Sequence, residues 1–193
     1  MQLRLLFWLL LSFNLRKVSY IKGCDVPDLS PLISSTEGIA QLSASSALNA
    51  HVAIESYLTG YQGWTYLTGD SDPWLQVTFA EQENVVAIET KNYVYLSLLE
   101  TYRVSFRTAE GSEWQWYTTE PGQEYYTFSG NLNTVDIVRN YFNSPVLATS
   151  LRIYPMQWHA IIWWELYKCN TAQPAMTTGV TQQMASQGEF GSR

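Results

Sequence analysis

Residues 102–107 read Tyr-Arg-Val-Ser-Phe-Arg, which gives the clearest strand pattern in the chain. Tyr102, Val104 and Phe106 alternate with polar residues, so a β-strand would place them on one face and the polar residues on the other. Residues 74–79, Trp-Leu-Gln-Val-Thr-Phe, alternate in the same way. The two stretches predict half-buried strands of an antiparallel sheet that has one face on a hydrophobic core.

Further short strands are predicted at 85–88 and 151–154. The run 161–167 is apolar at nearly every position, which is typical of a strand covered on both faces or lying at an interface. Turn sequences rich in Gly, Pro, Asp and Ser separate these strands, at 68–73, 110–112, 120–122 and 143–145. Many short strands with regularly spaced turns predict an all-β sandwich or barrel.

The composition indicates one globular domain with an acidic character. The chain has 193 residues, of which 46% are hydrophobic, and its formal net charge is −6. Four of its 11 Lys and Arg residues precede Cys24 and no carboxylate does, so 7 basic residues face 17 acidic ones from Cys24 onward. Nucleic-acid binding depends on Lys and Arg that neutralise phosphates, so we expect no nucleic-acid partner. Simple electrostatic recruitment to anionic lipid is disfavoured for the same reason.

The two ends of the chain differ from its middle. Arg4 followed by the apolar run 5–11 is typical of a secretory signal peptide, predicted over 1–23, with a short buried helix as the alternative. Residues 170–193 are rich in Thr, Gln, Ser and Ala without an apolar period, so we predict a disordered polar tail. The protein is therefore expected to be secreted and extracellular.

Two cysteines, Cys24 and Cys169, bracket the patterned region. In an oxidising compartment they would form a disulfide bond that ties the two ends of the domain together. Two free buried thiols are the alternative. Two cysteines are too few for a zinc site, and no His lies at ligand spacing from either.

Seven short motifs follow one another in this region. They are Gln41-Leu-Ser-Ala-Ser-Ser46, Trp74-Leu-Gln-Val77, the strand 102–106 with Gly111, Trp114 and Tyr117, Phe128-Ser-Gly-Asn131, Pro145-Val-Leu-Ala148, residues 151–159 (Leu-Arg-Ile-Tyr-Pro-Met-Gln-Trp-His), and Glu165-Leu166 before Cys169. As an ordered set they resemble the discoidin domain family, the coagulation factor V/VIII type C domains.

The resemblance implies a fold and a general role. It implies a discoidin-type jelly-roll β-sandwich of about eight main antiparallel strands, similar to galactose-binding domains, over residues 24–169. Members of the family use loops at the pole away from the disulfide to bind carbohydrate, anionic phospholipid, collagen or other surface proteins. They are usually adhesion or docking modules and are not themselves enzymes.

Three loops correspond to the ligand-binding loops of discoidin domains according to this resemblance. Exposed apolar and aromatic tips on such loops mark interaction sites, although the same residues could continue strands into the core. Tyr93 and Tyr95 could stack on sugar rings or anchor a protein interface. The candidate residues are Leu48, Asn49, His51 and Val52 in the first loop, Tyr93, Tyr95, Leu96 and Leu98 in the second, and Asn131 and Asn133 in the third.

Catalytic and metal-binding patterns are sparse. The two histidines, His51 and His159, accompany no nucleophile-elbow motif, so we expect no enzymatic activity. Asp70 and Asp72 lie in a Gly-containing loop and could hold Ca²⁺ through oxygen ligands, with a solvated turn as the alternative. No other cofactor is predicted.

The sequence thus favours a secreted, non-catalytic module for cell adhesion or extracellular recognition. Its expected ligand is a cell-surface or matrix glycan, as for a lectin, or a surface protein. The alternative is a peripheral membrane binder that inserts apolar loop tips into phospholipid.

Overall fold

The structure of the protein is a computed structural model that describes residues 29–34, 40–94 and 97–170. The predicted signal peptide 1–23, Cys24, Tyr95, Leu96 and the tail beyond Asn170 lie outside the described residues. The strands are β1 (Leu29–Pro31), β2 (Gln41–Ala44), β3 (Leu75–Lys91), β4 (Thr101–Arg107), β5 (Gln115–Trp116), β6 (Thr127–Ser129), β7 (Val138–Pro155) and β8 (Trp163–Cys169), with one short 3-10 helix at Ala53–Glu55.

All strand pairings are antiparallel, in the order β1-β8-β3-β7-β4-β5, with β2 on β3 and β6 on β4. The predicted all-β class is therefore confirmed. No helix in the described ranges is long and apolar enough to cross a membrane.

Strands β3 and β7 serve both layers of the sandwich. The first half of β3 pairs with β2 and with the second half of β7, and this half of β7 also pairs with β4. We call these strands the first layer. The second half of β3 pairs with β8 and with the first half of β7, and these strands form the second layer. The register between β3 and β7 shifts between Thr78 and Glu83 and again between Val85 and Ala87, which is where the paired strands leave regular geometry.

Alternation along the strands builds one main core between the layers. Tyr102 and Val104 are fully buried as predicted, whereas Phe106 is only partly buried against the core. The second layer contributes Ile88, Trp164 and Leu166, all fully buried. These side chains come from strands that are distant in the sequence, so burial of apolar area joins distant segments.

The run 161–167 is covered on both faces. Trp164 points into the main core and donates its indole N–H to the Ser56 hydroxyl at 3.1 Å. Trp163 lies on the other face, is 2% exposed, and donates its indole N–H to the Gly60 carbonyl at 3.0 Å. Both indoles thus retain a hydrogen-bond partner away from water.

Candidate functional site

The loops that follow the strand ends meet at one end of the sandwich. We call this end the loop pole and define it as residues 45–74, 92–94, 97–100, 130–137 and 156–162. Backbone hydrogen bonds join them: Trp64 and Ile162 exchange two, of 2.9 and 2.8 Å, and the Ile161 N–H donates to the Ser97 carbonyl at 3.0 Å. Cys169 lies at the far end of β8, so the loop pole is opposite this cysteine, as expected.

The first predicted loop is part of the loop pole. Leu48 and His51 pair across a tight turn in which Asn49 adopts a positive φ of 54°. The His51 Nδ1 is 2.8 Å from the Gln62 carbonyl, so this ring is held within the loop. Leu48 is half-buried, whereas Val52 is 37% exposed and Ile54 is 61% exposed. The apolar tip of this loop therefore lies at Ile54.

The second loop presents Tyr93, which is 51% exposed. Its ring meets Trp163 edge-on, with 4.9 Å between the ring centroids, and the Lys91 Nζ lies 4.0 Å from its centroid. Asn92 is buried and donates from Nδ2 to the carbonyls of Ser97 at 2.7 Å and Ile161 at 3.0 Å, which anchors the loop.

The remainder of the second loop divides between surface and core. Leu98 is half-buried and Leu99 is fully buried in the core, while Tyr95 and Leu96 lie outside the described residues. Tyr93, near the start of the second loop, is exposed at the surface, whereas Leu99, near its end, is buried in the core. The second loop therefore continues into the core only at its end.

The third loop uses its two predicted asparagines to hold its own shape. Asn131 is 1% exposed and donates from Nδ2 to the Thr90 carbonyl at 3.2 Å and the Asp136 carbonyl at 2.9 Å. The Asn133 Oδ1 accepts from the N–H groups of Val135 and Asp136, both at 2.9 Å. Asn131 therefore lies beneath the surface that this loop presents.

Apolar side chains cover the tip of the third loop. Leu132 is 75% exposed, Val135 is 82% exposed and Ile137 is 50% exposed. Asp136 is exposed beside them. Together with Ile54 they give the loop pole several apolar tips on separate loops, which is the kind of surface that marks an interaction site.

A pocket opens at the loop pole between the chain before β3 and the chain after β7. Trp158 stands at this pocket and is 74% exposed. Polar groups of Asp70, Ser71 and Gln157 share the lining with it. Among the described residues, the pocket is lined by Tyr66, Asp70, Ser71, Pro73, Pro155, Met156, Gln157 and Trp158.

The Asp70 carboxylate organises one wall of this pocket. Its Oδ2 accepts hydrogen bonds from the hydroxyls of Ser45 and Ser46, both at 2.6 Å, and its Oδ1 accepts from the Asp72 N–H at 3.3 Å. Burial raises the pKa of Asp70, but these three hydrogen bonds lower it by more, so the net pKa lies below its ordinary value. Asp70 is consequently a fixed negative charge at neutral pH.

Tyr66 supplies a neutral hydroxyl to the same pocket. Burial raises its pKa, the hydrogen bond from the His159 backbone lowers it, and the nearby Asp70 charge raises it, with a net upward shift. The Tyr66 phenol therefore keeps its proton at neutral pH and donates it to the Gln157 carbonyl.

Asp70 and Asp72, the predicted calcium ligands, have protein partners in the structure. The Asp72 Oδ1 pairs with the Arg103 Nη2 at 2.7 Å, while Asp70 accepts the two serine hydroxyls. Across the described part of the chain, no group of three or more His, Cys, Asp or Glu side chains is placed to hold a metal ion. Calcium binding here stays a prediction.

The pocket residues were not all predicted from the sequence. The sequence points to Asp70 as a calcium ligand, and to residues 151–159 only as one of the motifs of the family resemblance. One sequence feature could have indicated the exposure of Trp158: it lies in a short connection between two strands, directly after Pro155, Met156 and Gln157. A connection of that length is surface-exposed, so its Trp must be displayed or folded back.

Comparison with known proteins gives the same family along most of the chain. The family model described as F5/8 type C domain matches residues 41–168. Bovine lactadherin (Bos taurus) is 28% identical over 102 residues, which cover 51% of this chain and 24% of lactadherin. Coagulation factor VIII of the dog (Canis lupus familiaris) is 30% identical over 168 residues, which cover 79% of this chain and 7% of that protein. The chain thus spans a quarter or less of the length of these relatives.

Solved structures share the fold at low sequence identity. Discoidin II from Dictyostelium discoideum superposes with a TM-score of 0.56 at 20% identity, over 69% of this chain and 58% of that one. The family 32 CBM from C. perfringens NanJ, in complex with galactose, has a TM-score of 0.55 at 14% identity, over 72% of this chain and 99% of that one. The fold, the ordered motifs and the matched family model agree: this chain belongs to the F5/8 type C domain family.

Proposed function

We propose that this domain is a secreted, non-catalytic recognition module that binds a cell-surface or matrix glycan through the pocket at Trp158. The observation that carries the proposal is the exposure of Trp158 beside a fixed carboxylate. A large aromatic side chain that is 74% exposed has an apolar face without a protein cover. Binding sites commonly combine such apolar faces with a few polar groups that fix the orientation of the ligand.

The polar groups of the pocket suit a ligand rich in hydroxyls. A carboxylate has about four lone-pair sites, and Asp70 uses three of them for its hydrogen bonds within the protein, which leaves about one for a ligand hydroxyl. Ser71 adds a hydroxyl that both donates and accepts. The Gln157 amide exchanges two hydrogen bonds with Thr101 and keeps one N–H and one lone pair for a ligand. A sugar ring offers an apolar face for Trp158 and hydroxyls for these groups.

Relatives with the same fold support a sugar ligand. The NanJ CBM was solved with galactose bound, so a sandwich of this shape accommodates a sugar. The resemblance to discoidin domains implies loops opposite the disulfide as the binding region, and the Trp158 pocket is part of the loop pole. We also propose that residues 1–23 are a signal peptide, that residues 24–169 form the domain and that residues 170–193 are a disordered polar tail. Cys24 and Cys169 are proposed to form a disulfide.

A glycan array with the full secreted chain tests the proposal. Wild-type protein should bind a set of chemically related glycans, and Trp158→Ala should weaken that binding by roughly tenfold or more, because it removes the stacking face. Tyr61→Ala is the matched control, since Tyr61 is also an exposed aromatic residue of the loop pole, at 88%. The glycan proposal fails if the array gives no saturable binding, or if Trp158→Ala binds as well as the wild type.

A second candidate function, insertion into phospholipid, is favoured by a different observation. Ile54, Leu132 and Val135 are exposed apolar tips on two loops of the loop pole. Full burial of such a side chain contributes about 1.5–3 kcal/mol, so three tips could support reversible membrane attachment. Lys91 is the only Lys or Arg of the described part that flanks these loops, which limits attraction to anionic lipid.

Liposome co-sedimentation separates the two functions. Vesicles of phosphatidylcholine, with and without phosphatidylserine, would be compared for wild type, Trp158→Ala and Leu132→Ser/Val135→Ser. The glycan proposal expects little sedimentation of any of the three proteins. Strong sedimentation that is lost in Leu132→Ser/Val135→Ser and retained in Trp158→Ala would establish the membrane function instead.

A further inference from the structure

A second surface, on the outer side of the first layer, carries three arginines among tryptophans. We call it the arginine face and define it by Arg103, Arg107, Arg152, Trp74, Trp114 and Trp116. The strand register places its arginines together: Arg152 of β7 is opposite Ser105 of β4, and Arg103 and Arg107 lie two residues to either side of Ser105. Side chains two residues apart on a strand share a face, so all three arginines point away from the core residue Val104.

Aromatic rings hold these arginines in place. The Arg152 guanidinium carbon lies 3.8 Å from the Trp74 ring centroid and 4.0 Å from that of Trp114. Trp114 also lies 5.1 Å from the Arg107 guanidinium carbon. Arg103 lies 4.6 Å from the Trp116 ring centroid. Contacts of this kind fix a long side chain and reduce the entropy lost when it binds a ligand.

Hydrogen bonds from the Nε atoms anchor two of these arginines to neighbouring side chains. The Arg152 Nε donates to the Gln76 Oε1 at 2.9 Å and the Arg107 Nε donates to the Ser150 hydroxyl at 3.2 Å. Within the described residues, these are the only hydrogen bonds from the two guanidinium groups, and neither group forms an ion pair. Their terminal Nη groups are the part of the guanidinium that binds carboxylate or sulfate in a two-pronged manner.

The charge of this face contrasts with the acidity of the whole chain. The described residues contain six Lys and Arg, and three of them lie here. Of these three, Arg103 is paired with Asp72, whereas Arg107 and Arg152 form no ion pair within the described residues. Arg139 and Lys168, on the other layer, are paired with Glu89 and Glu83. Since charges beyond about 8 Å are largely screened at physiological salt, an approaching anion senses this local cluster more than the distant carboxylates.

The spacing and the composition of the face indicate the kind of partner. Diagonal neighbours on adjacent strands are roughly 7–8 Å apart, so the backbone positions of the three arginines alternate between β4 and β7 at about that spacing. None of the exposed large hydrophobic residues of the described chain belongs to this face, whereas protein interfaces have an apolar core. We propose that the arginine face binds a linear anionic glycan, with sulfate or carboxylate groups on the terminal nitrogens of Arg107 and Arg152. This binding is independent of the Trp158 pocket.

Heparin binding of the full chain tests the proposal. The wild type should be retained on immobilised heparin at about 0.15 M NaCl, and Arg107→Gln and Arg152→Gln should each weaken heparin affinity by roughly tenfold, because each removes charge-assisted hydrogen bonds. Lys168→Gln is the matched control for net charge: it removes one positive charge from the other layer, and heparin affinity should change by less than about twofold.

A second variant keeps the test valid if Arg152→Gln fails to fold. Ser43 is exposed on β2, opposite Gln76, which is itself opposite Arg152. Ser43→Glu adds a negative charge to the face without touching an arginine, and it should weaken heparin binding, whereas Ser144→Glu, exposed elsewhere on β7, should not.

Three results would overturn the proposal. The first is a wild type that flows through heparin at about 0.15 M NaCl. The second is equal loss of heparin binding in Arg107→Gln and Lys168→Gln. The third is full competition by poly-L-glutamate or by a DNA oligonucleotide at equal charge, which would assign the face to acidic proteins or to nucleic acid. Trp158→Ala should leave heparin binding unchanged. A failure of the arginine-face proposal can therefore be distinguished from a failure of the proposal that the Trp158 pocket binds a glycan.

Discussion

The Tyr66 hydroxyl donates a hydrogen bond of 2.5 Å to the Gln157 carbonyl, and it accepts one of 3.1 Å from the His159 N–H. These two contacts flank Trp158 on both sides along the chain. His159 has a positive φ of 67°, so the backbone turns sharply directly after Trp158. A single phenol of one loop thus fixes the segment that displays the exposed indole.

This arrangement predicts that Tyr66→Phe loosens the Trp158 segment. The substitution removes one donor and one acceptor, and we expect a loss of about 1–2 kcal/mol in the free energy of unfolding. Urea denaturation at neutral pH measures the change. Tyr61→Phe is the control, because Tyr61 is 88% exposed and its loss should be close to zero. Equal stability of both variants would show that Tyr66 does not hold the segment.

The Asp70 hydrogen bonds predict a specific dependence of stability on pH. Because the folded-state pKa of Asp70 is lowered, its contribution is present above the unfolded value of about 3.9 and is lost as the pH falls through the folded pKa. Asp70→Asn should therefore be less stable than the wild type at pH 7, and the difference should shrink below about pH 4.

Urea midpoints measured between pH 7 and pH 2 provide the comparison for Asp70→Asn. Glu124→Gln serves as the control, since this residue is exposed and the same charge is removed. A gap between wild type and Asp70→Asn that stays constant over the whole pH range would contradict the assigned role of the carboxylate.

The burial of Asn131 predicts a structural effect. Asn131→Ala removes two hydrogen bonds, one of them to the carbonyl of the buried residue Thr90, so we expect a loss of about 2–3 kcal/mol in unfolding free energy. Asn133→Ala, in the exposed turn of the same loop, should cost less. Thermal or chemical denaturation of both variants decides the order, and the reverse order would place the anchor of this loop at Asn133.

Gly63 and Gly111 form a matched pair for the packing of the loop pole. Both have a positive φ, of 67° and 77°, so alanine strains the backbone at either position. A Cβ on Gly63 would lie 2.7 Å from the Trp163 ring, whereas one on Gly111 would meet no atom within 4 Å. Gly63→Ala should be the less stable by about 1–3 kcal/mol, because it also displaces Trp163. Comparable melting temperatures of the two variants would refute the tight packing at Gly63.

Much of the fold was predictable because strand alternation is a local pattern. The segment 102–107 shows its two faces directly in the sequence, and the structure has β4 there. The segments 74–79 and 85–88 were predicted as separate strands, because polar residues lie between them at 81–84. They belong to one strand, β3, because its pairing with β7 resumes after a register shift instead of ending.

The candidate site was less predictable because it depends on strand pairing. Leu75 at the start of β3 is opposite Ile153 near the end of β7, and this pairing brings Asp70 beside Trp158. No local pattern relates these two segments. The burial of Asn131 is not visible in the sequence for a similar reason: the Thr90 carbonyl, which accepts its Nδ2 hydrogen bond, is distant in sequence.

The most direct test of the glycan-binding proposal is an NMR titration of the full chain with the strongest uncharged glycan of the array. The indole N–H signals of the seven tryptophans among the described residues report on both layers and on the loop pole at once. Binding at the pocket predicts saturable shifts of the Trp158 indole and of the backbone N–H groups of Ser71 and Gln157. Saturable shifts that centre on Trp114 and Trp116 instead, or the absence of any saturable shift, would contradict it.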